Sequence, residues 1–239
     1  MTKNIEMNAI VKNIPNSITC LNLASGVMAV ICAFCGREAL WGLDGFAWAW
    51  IFIGIAAVAD FLDGFAARAL HAYSNLGKEL DSLCDLVSFG VAPAMIMFNC
   101  LEAVGSAEWV RWLVLLIPVA GALRLARFNI DTRQTSEFIG LPIPANAIFW
   151  IGYSSLCLEG TEFLADWYCF VAIVIVESWL MVSPVRLFSL KFKTWGWKGN
   201  QLRWLLIITA PVLVFCMGVS GLLWLIVAYL LYGLFDIKK

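Results

Sequence analysis

The sequence predicts an all-α polytopic membrane protein of about eight transmembrane helices, and three observations carry that expectation. Of 239 residues, 62% are hydrophobic and only 14% charged, with a mean hydropathy of +0.85. Such a composition lies outside the range of soluble domains. Apolar runs of roughly 20 residues, the length that crosses a bilayer, recur along the whole chain and leave no room for a separate soluble domain. The third observation is charge. With even-numbered connections and both ends taken as one side, 14 of the 16 Lys and Arg residues fall there, leaving only Arg37 and Arg111 opposite. The positive-inside rule then places both termini in the cytoplasm.

Residues 1–16 are expected to form an N-terminal interfacial segment, because Ile5, Met7, Ile10, Val11 and Ile14 alternate with polar residues. Lys3, Glu6, Asn8 and Lys12 interrupt it, unlike a cleaved signal peptide. The membrane domain is expected over 17–190. Its first span, Ser17 to Cys35, has Asn16, Thr19 and Asn22 at its beginning; Asn22 is deep enough to need a partner, either another helix or a ligand. Span two runs from Phe46 to Arg68 and span three from Lys78 to Phe98, where Pro93 is expected to bend it. The fourth, Trp109 to Leu125, leads into a loop with Arg124, Arg127 and Asn129. Span five follows Pro142-Ile-Pro144-Ala-Asn146 and ends near Leu158; span six covers Trp167 to Phe188 with Glu177 inside it. Residues 191–239 supply a basic loop and a helix pair, Leu202 to Met217 and Leu222 to Phe235, with a short turn between. The eight scattered cysteines read as buried thiols, and most of the 12 tryptophans as interface anchors.

One stretch is out of keeping with this greasy background. Asp60-Phe-Leu-Asp63-Gly64-Phe-Ala-Ala67-Arg68 is followed, after eight residues, by Gly77-Lys-Glu-Leu-Asp81-Ser-Leu-Cys-Asp85. Isolated carboxylates are costly in apolar surroundings and normally find partners. On helices, Asp60, Asp63, Gly64 and Ala67 share one face, as do Gly77, Asp81, Asp85 and Ser88. If those faces meet, four carboxylates converge beside a lane kept open by small residues. Hard divalent cations, Mg2+ or Mn2+, bind such oxygens and bridge phosphates. Two of them would be held by Asp60, Asp63 and Asp81, with Asp85 adding an oxygen and serving as general base. Arg68 offers a fork for phosphate. Ion pairs of the aspartates with Arg68 and Lys78 are an alternative, though two cations leave four anions incompletely matched. A cation channel or proton-coupled carrier is another, since membrane carboxylates also mark transport paths.

The eight positions Asp60, Asp63, Gly64, Ala67, Arg68, Gly77, Asp81 and Asp85, with their fixed spacing, resemble the signature of the CDP-alcohol phosphatidyltransferases. Three further stretches resemble the subgroup that uses serine: Pro15-Asn16-Ser-Ile-Thr19-Cys-Leu-Asn22, Arg124-Leu-Ala-Arg127-Phe-Asn129, and Phe138-Ile-Gly140-Leu-Pro142-Ile-Pro144-Ala. The resemblance implies a six-helix core with two C-terminal helices outside it, a homodimer, and a bacterial cytoplasmic (inner) membrane location with the site on the cytoplasmic side. It implies CDP-diacylglycerol and L-serine as substrates and CMP as product, among membrane lipids and without nucleic acid. Asn16, Thr19, Asn22, Gly64, Ala67, Arg68, Gly77 and Asp81 are then expected to bind CDP-diacylglycerol. Arg124, Arg127 and Asn129 are expected to meet serine or a phosphate. Glycerol 3-phosphate, inositol and choline are the alternative acceptors.

Overall fold

The computed structural model describes residues 9–130, 137–188, 196–197 and 200–236. Arg133 and the loop lysines Lys191, Lys193 and Lys198, which enter the charge argument, lie outside the described residues, as does the beginning of the expected interfacial segment.

The chain starts with a 27-residue helix, α1 (Ala9–Cys35), so residues expected in a separate lead-in continue unbroken into the first span. A tight hairpin, β1 (Ala39–Leu40) and β2 (Leu43–Asp44), reverses it. Trp41 and Gly42 both take positive φ there, 47° and 90°, as two-residue hairpin turns require. Asp44 caps the next helix, α2 (Gly45–Ala69), by accepting from the Ala47 amide at 2.8 Å. α1 and α2 pack together along their lengths.

Span three is one continuous helical rod with a π-helical turn inside it: α3 (Asn75–Asp85), the turn (Leu86–Val91) and α4 (Ala92–Ala103). Pro93 explains part of this. It has no N–H for the Phe89 carbonyl, and the freed carbonyl accepts from Asn146 Nδ2 at 3.3 Å. The expected bend is thus a local rewinding held from a neighbouring helix. α5 (Glu108–Arg111) passes through a 3-10 turn (Trp112–Leu115) into α6 (Leu116–Ile130).

The helix continues five residues beyond the expected end at Leu125, so Arg124, Arg127 and Asn129 stand on helical turns and not in a loop. No Gly or Pro occurs from Ala122 to Ile130, and the Arg, Leu and Ala there favour helix. β3 (Glu137–Ile139) then leads to α7 (Ile143–Leu158), α8 (Glu162–Ala165) and α9 (Trp167–Val182). α9 stops six residues short of the expected Phe188, because Ser183 before Pro184 is forced extended (ψ 157°). The residues beyond form β4 (Arg186–Phe188), antiparallel to β3. α10 (Gln201–Met217) and α11 (Gly221–Asp236) flank a 3-10 turn that opens at Gly218 (φ 64°) and fold back on each other.

This is an integral membrane protein. Asn13–Cys35, Gly45–Ala69, Asn75–Ala103, Glu108–Ile130 and Gln201–Gly233 are long and apolar enough to cross a bilayer, and α7 and α9 are shorter apolar helices. Leu21, Phe34, Val58, Phe65 and Phe215 point outward, as lipid-facing positions do. Cys20 and Cys216 are exposed as well, against the expectation of uniformly buried thiols. Inside, Trp150, Tyr153 and Phe170 form an aromatic core between α7 and α9. Helix association in lipid depends on close packing and small residues. At Gly152 of α7, an added Cβ would strike the backbone nitrogen of Leu223 on α11.

Candidate active site

Two helix ends and the rod's π turn build the site. α2 terminates with His71 in the left-handed region (φ 51°) and with the Ala72 amide reaching back to the Ala67 carbonyl at 3.0 Å. The chain turns sharply, and Ser74 caps α3 by accepting from the Gly77 amide at 2.9 Å. This geometry lays the end of α2 beside the beginning of α3. One carboxylate oxygen from each of Asp60, Asp63 and Asp81 lies within 4.8 Å of the other two. Asp63 Oδ2 and Asp81 Oδ1 are buried without a hydrogen-bond partner. Clustered hard oxygens left unsatisfied are a donor set that fits divalent cations.

Asp85 lies outside that set of three. It is one turn further along α3, buried, and its Oδ1 accepts from Asn22 Nδ2 of α1 at 3.1 Å. Asn22 therefore does meet a neighbouring helix, while its own Oδ1 is buried without a partner. The Asn22 carbonyl also accepts from Ser88 Oγ at 3.0 Å, so α1 grips both Asp85 and the π turn. Gly26 permits this approach, because a Cβ there would lie 2.7 Å from Ser88 Cα. Gly26→Ala is expected to lower stability by about 1–3 kcal/mol through overpacking. Thermal unfolding in detergent would check this, and an unchanged midpoint would refute the close fit.

Beside the aspartates lies an open-sided cavity of about 210 Å³ lined by Asn16, Thr19, Asp63, Gly64, Ala67, Arg68, Gly77 and Asp81. Seven of the eight residues expected on the CDP-diacylglycerol side share this lining; Asn22 is the eighth and faces Asp85 instead. At Gly77 a Cβ would come within 3.0 Å of Asn16 Oδ1 and Ser74 Oγ, so a side chain would fill the cradle. At Gly64 the nearest group is the flexible Arg68 guanidinium at 3.4 Å, a weaker constraint. Tyr73 and Ser74 also line the cavity and were not singled out from sequence; Lys78, weighed there only as an ion-pair partner, lines it as well. Ser74 was legible as a cap three residues before Gly77; Tyr73 left no signal.

The three α6 residues separate in their surroundings. Arg127 Nη1 donates to the Val182 carbonyl at 2.6 Å, tying α6 to the end of α9. Asn129 donates to Ser82 Oγ at 2.9 Å, and its carbonyl accepts from Lys78 Nζ at 3.1 Å, tying α6 to α3. Arg124 is only 8% exposed, its guanidinium 5.2 Å from the Phe128 ring centroid and within electrostatic reach of Asp85 and Tyr229. Among the described residues it makes no ion pair and no hydrogen bond. Neither Arg68 nor Lys78 pairs with an aspartate; the ion pair among the described residues is Arg111–Glu102. The alternative of helix–helix ion pairs therefore fails. Glu177 is buried in α9 with Oε2 unpartnered.

Residues 12–185 match the CDP-alcohol phosphatidyltransferase family. The chain belongs to that family. Membership removes the channel and carrier readings of the four aspartates. Among its relatives, the CDP-diacylglycerol–serine O-phosphatidyltransferase of Mycobacterium leprae is 41% identical over 162 residues, 65% of this chain and 50% of the relative. The protein of the same name from Methanocaldococcus jannaschii is 38% identical over 146 residues, 60% of this chain and 61% of the relative. The chain thus spans a half to three fifths of the length of these two. With the like-named Helicobacter pylori (strain J99) protein the match is 32% over 236 residues, 92% of this chain and 89% of the relative.

Proposed function

We propose that this phosphatidyltransferase moves the phosphatidyl group of CDP-diacylglycerol to the hydroxyl of L-serine, giving phosphatidylserine and CMP. The observation that carries the reading is the convergence of Asp60, Asp63 and Asp81 at a cavity walled by the remaining signature residues. The names of the relatives support serine as acceptor. Two divalent cations, Mg2+ or Mn2+, held by Asp60, Asp63 and Asp81 with an oxygen of Asp85, would supply Lewis-acid polarisation of the diphosphate.

The chain's own residues do the rest. Asn22 occupies Asp85 Oδ1, which leaves Oδ2 to take the proton of the serine hydroxyl. The serine oxygen forms its bond to the phosphorus next to diacylglycerol as the bond to CMP breaks, so no protein nucleophile is needed. Asn16, Thr19, Gly64, Ala67 and Gly77 admit the nucleotide, and Arg68 receives a phosphate oxygen. Arg124, buried and without an acceptor among the described residues, takes the serine carboxylate. Arg127 and Asn129 hold its helix in place. The excess of Lys and Arg on one side supports a cytoplasmic site in a bacterial inner membrane. A homodimer is part of the same reading.

The test is CMP release by purified protein with CDP-diacylglycerol, Mn2+ or Mg2+, and each labelled alcohol in turn. Serine-dependent release is expected. Release with glycerol 3-phosphate, inositol or choline alone would replace the acceptor and keep the reaction class. Arg124→Gln is expected to raise the KM for serine by roughly tenfold to a hundredfold, the equivalent of one charged hydrogen bond. An unchanged serine KM with a raised KM for the lipid would move Arg124 to a phosphate.

A further inference from the structure

The C-terminal hairpin of α10 and α11 lies outside the matched residues 12–185, yet α11 carries a polar side chain into the core. Leu223, Ile226, Tyr229 and Gly233 are buried there. Their spacing of three, three and four residues puts them on one helix face. That face is held at both ends. Near its beginning the Leu223 backbone lies against Gly152 of α7, and near its end a Cβ on Gly233 would lie 2.7 Å from Leu187 Cδ2 of β4. Tyr229, 5% exposed, is fixed between these two contacts. Burying a phenol hydroxyl costs free energy unless a polar group meets it, and phenylalanine would serve packing alone. Arg124 is a polar group of the core within electrostatic reach of that hydroxyl.

Two tertiary contacts place this pair independently. Arg127 Nη1 donates to the Val182 carbonyl, and Gly233 faces Leu187. Val182 and Leu187 flank the Ser183-Pro184 corner where α9 gives way to β4. Arg124 is one turn back from Arg127 on α6, and Tyr229 one turn back from Gly233 on α11. Both helices thus touch one corner, and each sets its polar residue a turn behind that contact. Arg124 is also within electrostatic reach of Asp85. Residues of α3, α6 and α11 therefore gather around the arginine.

We propose that Tyr229 is an acceptor-binding residue, its hydroxyl donating to the carboxylate of the acceptor alcohol beside the guanidinium of Arg124. The inference rests on the reaction proposed above, with Arg124 as the carboxylate's partner. In serine, two carbons separate the hydroxyl oxygen from the carboxylate carbon, so the base and the carboxylate clamp must be neighbours, as Asp85 and Arg124 are. The arginine fork and the phenol O–H bring donors from two helices to the two carboxylate oxygens. The C-terminal hairpin then completes the acceptor side of the site, while the aspartate motif and α1 serve the lipid side.

The experiment measures CMP release by the purified protein over a grid of serine and CDP-diacylglycerol concentrations. Tyr229→Phe is expected to raise the KM for serine roughly tenfold, the low end for a hydrogen bond to a charged group. The KM for the lipid and the thermal midpoint in detergent should stay near the wild-type values, because the ring keeps its packing. Tyr232→Phe, on the half-exposed side of the same helix, is the control and should match the wild type. In an Arg124→Gln background, Tyr229→Phe should raise the serine KM by less than its own factor, because two donors to one carboxylate are coupled. Factors that simply multiply would show the two residues acting on different groups and would overturn the proposal. So would an unchanged serine KM in Tyr229→Phe, or a lowered midpoint with both KM values raised together, the mark of a structural role. The underlying reading fails in a different arm. Wild-type release that ignores serine removes the reaction, and a serine KM unmoved by Arg124→Gln removes the carboxylate's partner; neither is read from the tyrosine variant.

Discussion

Asp81→Asn is expected to abolish metal-dependent turnover and, in the same protein, to raise the thermal stability of the metal-free form. Both effects have one origin. Oxygens of Asp60, Asp63 and Asp81 lie within 4.8 Å of each other, with no Lys or Arg paired to them among the described residues. At an effective dielectric of about 20, two such charges repel by about 3 kcal/mol. The bare cluster therefore opposes folding, and on the proposed reading divalent cations would reverse the sign by binding only the assembled site. Removing one carboxylate relieves repulsion and takes away a ligand. Unfolding midpoints in chelator and in excess Mn2+ would show it. The wild type should gain markedly with metal, whereas Asp81→Asn should start higher and gain little. CMP release should fall by roughly 10²-fold or more. A midpoint that drops in chelator on replacing Asp81 would instead mark the cluster as a structural element and sink the metal reading.

Most of this site was legible because polar groups in a membrane domain are few and each requires a reason. The aspartate faces followed from helical spacing alone, and the chain turn between α2 and α3 needed only a polar link with Ser74 at its end. What sequence could not supply was depth and side-chain commitment. Arg124 and Arg127 share a short basic stretch, yet Arg127 is spent on the Val182 carbonyl while Arg124 is buried with no hydrogen bond or ion pair among the described residues. The difference comes from where α6 ends, and a continuous run of helix formers gave no stop signal there. The π turn was illegible for a similar reason. Pro93 announces a missing hydrogen bond, but whether the helix kinks or rewinds depends on Asn146, more than fifty residues away. The β3–β4 pair formed because Pro184 ended α9 early, and three-residue strands carry no periodicity to detect.

Asp85→Asn is expected to lower kcat by about 10²–10⁴, the usual range for losing a general base, while the KM for CDP-diacylglycerol stays nearly unchanged. The substitution is isosteric, and an amide can still accept from Asn22 Nδ2, so α1 and the π turn should remain joined. Asp85 stands apart from the three-oxygen set, which makes this separation of effects testable. If Asp85 acts mainly as a base, raising Mn2+ will not restore the rate, and chelator-sensitive stability will resemble that of the wild type. If it acts mainly as a ligand, saturating metal will recover much of the activity. Asn22→Ala adds the positioning arm: it leaves the carboxylate but frees its orientation, so kcat should fall less than in Asp85→Asn. A full loss of lipid binding in Asp85→Asn would contradict the assignment, because the cavity proposed to receive the nucleotide is lined by Asp63 and Asp81 and not by Asp85.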